Sequence, residues 1–254
     1  MTVRIGPAGT GGNSLEKLQE LKKLGLDAVE IQFVRGVKMS NELAKRIGEE
    51  NRKLGLVLSI HAPYYINLAS DDLEKIEASK KRILDSCERG HHMGAKYIVF
   101  HAAFYGKLSP EECYQAVKKA IIEMQDAFRN KGWDVVLCPE TTGKRSQFGD
   151  IDELVRMTKE TGCGICVDFA HIEARYAKEY DCRDVVRKIK NINHVTSHFS
   201  GIEYTAKGER RHIPIDIKKT KNLLYALKKE KMSITLIIEA PDTWGDALRT
   251  KKLL

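Results

Sequence analysis

The sequence predicts an α/β protein folded as a single (β/α)8 TIM barrel spanning residues 1–254. Two observations carry that prediction. Short apolar, strand-like runs alternate with amphipathic helical stretches from one end of the chain to the other, the pattern of successive parallel βα units. Eight such units are counted, and 254 residues match the roughly 250 that one barrel of this kind takes. An open doubly wound sheet would alternate as well, but it rarely needs eight units and usually opens on a glycine-rich phosphate turn. The segment Gly6-Pro7-Ala8-Gly9-Thr10-Gly11-Gly12 lacks the G-x-G-x-x-G spacing and is interrupted by Pro7, so it reads as a loop.

In chain order, strand Val3–Gly6 precedes a helix from Ser14 to Lys23, and strand Ala28–Phe33 precedes a helix over Asn41–Leu54. The third strand, Leu56–His61, leads to a helix from about Asp71 to Met93, and the fourth, Tyr97–His101, to one from Ser109 to Lys131. Ser109-Pro110-Glu111-Glu112 is a helix start, with serine capping and proline at the first helical position. Strand Asp134–Glu140 precedes a helix over Ile151–Thr161, and strand Gly164–Asp168 precedes a segment containing Cys182–Lys190. The seventh strand is His194–His198, followed by a helix over Asp216–Lys229. The eighth is Ile234–Glu239, with a helical tail over Gly245–Leu254.

Hydrophobic residues make up 42% of the chain and charged residues 31%, the profile of a well-packed soluble protein. No stretch approaches the roughly 20 apolar residues of a membrane span, and Met1–Gly12 has no long apolar core of a signal peptide. A cytoplasmic protein with no membrane partner is expected. The six cysteines lie scattered in apolar segments, as small core residues do. Cys163 and Cys166 have metal or redox spacing, but no second pair accompanies them, and their side chains point to opposite faces of a strand. The net charge is +8 and the pI near 9.1. Lysine runs such as Lys218–Lys221 solvate helix faces, while the overall excess also suits attraction of a polyanion such as DNA.

Barrels of this kind keep their chemistry at the C-terminal ends of the strands. The third strand ends on His61, the fourth on His101, the fifth on Glu140 and the sixth on Asp168, with His171 just beyond. The seventh ends on His198 and the eighth on Glu239. Each follows an apolar run, where a polar side chain is costly unless paired or coordinated. A lone histidine at a strand end is ordinary hydrogen-bonded structure. Seven such groups converging on one rim, with few arginines or lysines among them, call for cations, and imidazole with carboxylate suits zinc, manganese or iron. His91 and His92 instead close the third helix, where they favour its dipole, and His194 opens its strand at the opposite face.

These residues resemble the endonuclease IV family of metal-dependent apurinic/apyrimidinic endonucleases, over nearly the whole chain. Ser59-Ile60-His61-Ala62-Pro63-Tyr64-Tyr65-Ile66-Asn67 looks like that family's third-strand segment, and Glu140-Thr141-Thr142-Gly143 like the signature around its bridging glutamate. Gly164-Ile165-Cys166-Val167-Asp168-Phe169-Ala170-His171 is similar to its Gly-x-Cys-x-Asp-Thr-Cys-His signature, with Phe169 and Ala170 in place of Thr and Cys. Leu236-Ile237-Ile238-Glu239-Ala240-Pro241 matches its last ligand segment.

The resemblance implies that His61 and His101 bind one Zn2+, and that Glu140 bridges it to a second held by Asp168, His198 and Glu239. Mn2+ is an alternative metal. His171 would belong to a third ion. There the chain departs from the family, which has Asp-Arg-His after the seventh strand and a His-x-Asn-Asp start. Here the stretches are His198-Phe199-Ser200-Gly201 and Gly208-Glu209-Arg210-Arg211-His212, so His212, with Glu209, can substitute or His212 can contact phosphate, and the third site stays open. Asp216 is more simply a helix N-cap than a ligand.

The implied reaction is attack of a metal-activated hydroxide on the phosphodiester 5′ to an abasic site in damaged double-stranded DNA, with Glu140 as catalytic residue. Arg35, Tyr64 and Tyr65 would enter the duplex at the flipped nucleotide, and Arg210 and Arg211 would bind phosphate. Two other functions fit the residues. Glu140, Asp168, His198 and Glu239 satisfy a single-metal sugar isomerase or epimerase of the xylose isomerase-like superfamily, although His101 and the basic balance then have no purpose. A lesion-binding protein without turnover is the other. No obligate protein partner is evident, and a monomer is expected.

Overall fold

The computed structural model describes residues 1–12 and 14–254. Strands β1 (Val3–Pro7), β2 (Ala28–Gln32), β3 (Val57–His61), β4 (Tyr97–Phe100), β5 (Val136–Pro139), β6 (Ile165–Asp168) and β7 (Val195–Phe199) follow one another along the chain. An antiparallel hairpin, β8 (Gly201–Thr205) and β9 (Gly208–Ile213), comes next, and β10 (Ile234–Ile238) is the eighth barrel strand. Parallel pairing runs in two arcs, β2-β3-β4-β5 and β1-β10-β7-β6. Bridges Ala8–Glu30 and Glu140–Cys166 join the arcs at both seams, where Gly9 N donates to Glu30 O at 2.8 Å and Thr141 N to Cys166 O at 3.0 Å. The cylinder is closed, as the eight repeated units predict.

Helices α1 (Ser14–Lys23), α2 (Asn41–Leu54), α3 (Leu73–Met93), α4 (Pro110–Asn130), α5 (Ile151–Thr161), α6 (Phe169–Tyr176), α7 (Cys182–Ile189), α8 (Ile217–Lys229) and α9 (Thr243–Lys251) fill the connections. Ser109 and Glu112 form the expected capping box of α4, with Pro110 in its first turn. Asp72 caps α3 by accepting from Glu74 N, which moves the start of that helix to Leu73. Asp216 caps α8, accepting from Lys219 N at 2.8 Å.

Two elements go beyond the sequence expectation. The stretch after Asp168 turns directly into α6, and residues 201–213, expected as a loop carrying ligands, form the hairpin. The glycine-rich opening is also strand as far as Pro7. There Gly6 has a packing reason: a Cβ at that position would lie 1.9 Å from Ala28 O, so only glycine lets β1 and β2 approach this closely.

Strand periodicity sorts the barrel residues. Ile5, Val29, Ile31, Leu58, Ile60, Ile98, Phe100, Leu137, Ile165, Val167 and Leu236 join one continuous core with the helices. The alternate positions face the lumen. Val99, Cys138 and Cys166 form a small apolar cluster there, flanked by Tyr97 and Val136. All six cysteines are free thiols. Among the described residues, no helix is long and apolar enough to cross a membrane.

Candidate metal centre

Above the Val99–Cys138–Cys166 layer the same lumen-facing parity brings the strand-end residues together. Glu140 is fully buried at the centre. Its Oε2 lies 3.2 Å from His61 Nε2 and 3.1 Å from His101 Nε2, and its Oε1 lies 3.2 Å from both His171 Nδ1 and His198 Nδ1. One carboxylate therefore faces four imidazoles. Glu239 Oε2 stands 3.6 Å from His198 Nδ1 and Asp168 Oδ2 3.4 Å from His171 Nδ1. All eight candidate ligands named from sequence join this one contiguous cluster.

The cluster contains overlapping donor sets. One donor atom each from His61, His101 and Glu140 lies within 4.8 Å of the others, and the same holds for Glu140, Asp168, His198 and Glu239, and for Asp168, His171 and His212. Asp168 tests whether such a set fits a cation. Its Oδ1 caps α6 by accepting from Ala170 N at 2.7 Å and His171 N at 2.8 Å, whereas Oδ2 is buried without a hydrogen-bond partner. A buried carboxylate oxygen left unpaired is costly. Among the described residues, no lysine or arginine pairs with Glu30, Glu140, Asp168, Glu209 or Glu239. The donors present, imidazoles and carboxylates with one orphaned oxygen, suit divalent ions.

The second nitrogen of each ring tells which atom is available. His61 Nδ1 donates to Ala62 O at 2.8 Å and His171 Nδ1 to Thr141 O at 2.9 Å, leaving Nε2 of both as lone-pair donors. His171 Nε2 lies 3.2 Å from His212 Nε2 and 3.4 Å from Glu209 Oε2. Ser200 Oγ is 3.0 Å from His212 Nδ1 and orients that ring. The hairpin thus brings His212 and Glu209 to His171, and β9 resolves the register that sequence left open.

Electrostatics reflects the crowding. Burial disfavours the charged form of His61, but its hydrogen bond to Glu140 and the charges of Glu140, Glu30 and Glu239 lift its pKa to about 9. Burial works the other way on Glu140, where it is outweighed by the charges of His101 and His198 and by hydrogen bonds from His101 and His171, so its pKa falls well below the usual carboxylate range. Against the effect of burial, the carboxylates likewise hold the pKa values of His171 and His198 well above the ordinary imidazole range; divalent ions would displace the protons of these rings.

The candidate DNA contacts lie elsewhere on the rim. Tyr64 and Tyr65 are exposed, 56% and 63%, with the Tyr64 ring centroid 5.9 Å from that of His61. Arg35 is exposed in the turn after β2. Arg210 and Arg211 are not brought to the cluster: their guanidinium groups hold Glu203, at 2.5 and 2.6 Å. A cavity of about 920 Å3 between α6, α7, α8 and the hairpin contains none of the eight donor residues.

Sequence reasoning missed Glu30, Ser59 and Gln32. Glu30 is wholly buried in the lumen, and His198 Nε2 lies 3.0 Å from its Oε1. The signal was present in Ala28-Val29-Glu30-Ile31-Gln32, where two polar residues at period two interrupt an apolar strand.

Fold and donor set together define a barrel protein with a candidate multi-ion centre at the C-terminal mouth. The chain belongs to the xylose isomerase-like TIM barrel family, whose profile matches residues 18–253. An uncharacterized protein of Methanocaldococcus jannaschii is 38% identical over 98% of this chain and 95% of its own length. A probable endonuclease 4 of Metamycoplasma arthritidis is 28% identical, covering 72% of this chain and 70% of its own. Among solved structures, endonuclease IV from Thermus thermophilus aligns with TM-score 0.74 at 22% identity, covering 98% of each chain. A D-psicose 3-epimerase aligns with TM-score 0.70 at 16% identity, covering 98% of this chain and 90% of its own.

Proposed function

We propose that this protein is a DNA-repair endonuclease that cleaves the phosphodiester 5′ to abasic sites in double-stranded DNA, as a cytoplasmic monomer loaded with Zn2+ or Mn2+. The observation that carries the reading is the orientation of Glu140. Its Oε2 faces His61 and His101 while its Oε1 faces His198, so one carboxylate addresses two donor sets. A single-ion epimerase needs Glu140, Asp168, His198 and Glu239 only, and leaves His61 and His101 without a purpose. Relatives that carry the name endonuclease 4 support the same reading.

Divalent ions held there would acidify water and offset the charge that develops on a phosphate under attack. His61 and His101 would hold one ion through Nε2, and Asp168 Oδ2, His198 Nδ1 and Glu239 a second, with Glu140 shared. His171, His212 and Glu209 would hold a third. Arg35, Tyr64 and Tyr65, exposed on the rim, would fill the gap left by an extruded nucleotide, and Arg210 and Arg211 would reach phosphate on releasing Glu203.

The test is a duplex with one tetrahydrofuran abasic analogue. A single nick is expected, with two or three ions per chain by elemental analysis. Glu140→Gln should lower the rate by about 10^3-fold or more, since losing several kcal/mol of charge stabilisation costs tenfold per 1.4 kcal/mol. One ion per chain with ketose epimerisation and no nick would establish the epimerase. Damage-selective binding without nicking in Zn2+ or Mn2+ would establish a lesion-binding protein.

A further inference from the structure

We infer that Glu30, on β2, is the positioning residue of the centre: it holds His198 by Nε2–H so that Nδ1 is the atom offered to the ions. The inference rests on the metal-binding reading of the cluster and not on which reaction the cluster performs.

Glu30 is a carboxylate with no exposure at all. Its Oε1 lies 3.0 Å from both His198 Nε2 and Gln32 Nε2, and its Oε2 accepts from Ser59 Oγ at 2.9 Å, with His198 Nε2 3.1 Å away. Carboxylates face both ring nitrogens of His198, Glu30 at Nε2 and Glu140 and Glu239 at Nδ1. Glu30 is the one outside the donor sets, so with an ion bound the ring keeps its proton on Nε2 and Glu30 accepts it. That leaves the lone pair on Nδ1, the atom facing Glu140 and Glu239. Both Glu30 oxygens are engaged by Ser59, Gln32 and His198, and Glu30 belongs to none of the donor sets.

The other rings make the role specific. His61 and His171 anchor their second nitrogen on neutral backbone carbonyls, those of Ala62 and Thr141. His171 Nδ1 also stands 3.2 Å from Glu140 Oε1 and 3.4 Å from Asp168 Oδ2, both members of the donor sets. Of these three rings only His198 has its second nitrogen on a carboxylate outside those sets, which raises the basicity of the opposite nitrogen and fixes the ring's tautomer. Gln32 extends the arrangement, since its amide nitrogen is also 3.3 Å from Glu239 Oε1. One short strand thereby orients two members of the same donor set.

Zn2+ titration of the full-length protein, followed by calorimetry, tests this. Glu30→Gln keeps the side-chain shape, and its affinity for one ion should fall about 10- to 100-fold, the usual cost of losing such an outer partner. The metal-free melting temperature reads structure separately. A loss of affinity below tenfold, with or without a lower melting temperature, overturns the inference. Nitrogen-15 spectra of the Zn2+-loaded wild type give a second readout that does not depend on the variant folding. One ring ligated through Nδ1 and protonated at Nε2 is expected, and ligation of every ring through Nε2 overturns the inference. A wild-type chain that binds no divalent ion would remove the metal reading with it.

Discussion

The cluster has two halves built by different means. Glu140, His198 and Glu30 are wholly buried on barrel strands or at their ends, held from below by a closed hydrogen-bonded cylinder. His212 and Glu209 are partly exposed on β9, a strand paired only with β8 in a two-stranded sheet. The inner half is placed by strand parity, which no loop change can shift. The outer half depends on how the hairpin is docked, through Glu209 N donating to Gly143 O at 3.0 Å and the His212–Ser200 contact. A centre built this way keeps its inner donors preorganised while the outer donors are free to differ. Of the departures from the endonuclease IV signatures, residues 208–212 fall in the outer part, whereas Phe169 and Ala170 are buried beside the inner donor Asp168.

The difference can be broken at its root. Gly6→Ala forces a Cβ against Ala28 O at the β1–β2 seam that carries Glu30. Backbone cannot yield cheaply, so the loss should approach about 3 kcal/mol, the upper end of overpacking costs. In a chain of this size that corresponds to a fall in melting temperature of roughly 6–12 °C, readable by calorimetry. A melting temperature within about 2 °C of wild type, less than 1 kcal/mol on the same scale, would show that the seam has room for a methyl group.

Pairing His198→Ala with His212→Ala sharpens the comparison. The inner substitution should remove an ion shared with Glu140 and depress nicking by about 10^3-fold, several kcal/mol of lost charge stabilisation. The outer one should lower metal content by a single ion and leave the inner ions in place. Elemental analysis of both variants decides it, and equal ion losses would mean that the halves are not independent.

The same asymmetry explains what could be read from the chain. His61, His101, Glu140, Asp168, His198 and Glu239 each end an apolar run, and strand periodicity alone sends them to one mouth. Glu30 obeys the same rule, but it lies in the middle of its strand, where no strand end marks it. His212 could not be placed in register because Gly208-Glu209-Arg210-Arg211-His212 has no apolar alternation. Its geometry comes from the β8–β9 pairing, whose irregularity between Glu203 and Tyr204 is invisible to periodicity. Helix α6 was hidden for a related reason. It begins directly on Asp168, with no loop between strand and helix, because that carboxylate serves as the cap.

A gentler perturbation acts on the docking of the outer half. In Gly143→Ala the new Cβ would lie 2.7 Å from Glu209 Cβ and 3.2 Å from His171 Cδ2. A Cβ follows its own backbone, so the hairpin must shift at Glu209, whose N donates to Gly143 O. Ser200→Ala frees His212 Nδ1. Each should weaken one ion by about tenfold, the low end for outer-partner loss, with inner-ion affinities unchanged in the same titration. Weakening of every ion together would place Gly143 and Ser200 among the supports of the whole cluster.

The smallest effects are expected at the tip of the hairpin. Arg210 and Arg211 are 66% and 70% exposed at their side chains and share one acceptor, Glu203. Surface pairs of this kind contribute about 1 kcal/mol or less, so either guanidinium can leave Glu203 for a phosphate at little cost. Arg211→Ala should then leave the melting temperature and ion content alone. It should weaken binding uniformly across duplex sequences and reduce the slope of log affinity against log salt by about one. The control is Glu203→Gln, which releases both arginines and should strengthen binding at low salt. A salt slope unchanged in Arg211→Ala would assign this arginine to the hairpin alone and confine DNA contact to the other side of the mouth, where Arg35, Tyr64 and Tyr65 stand.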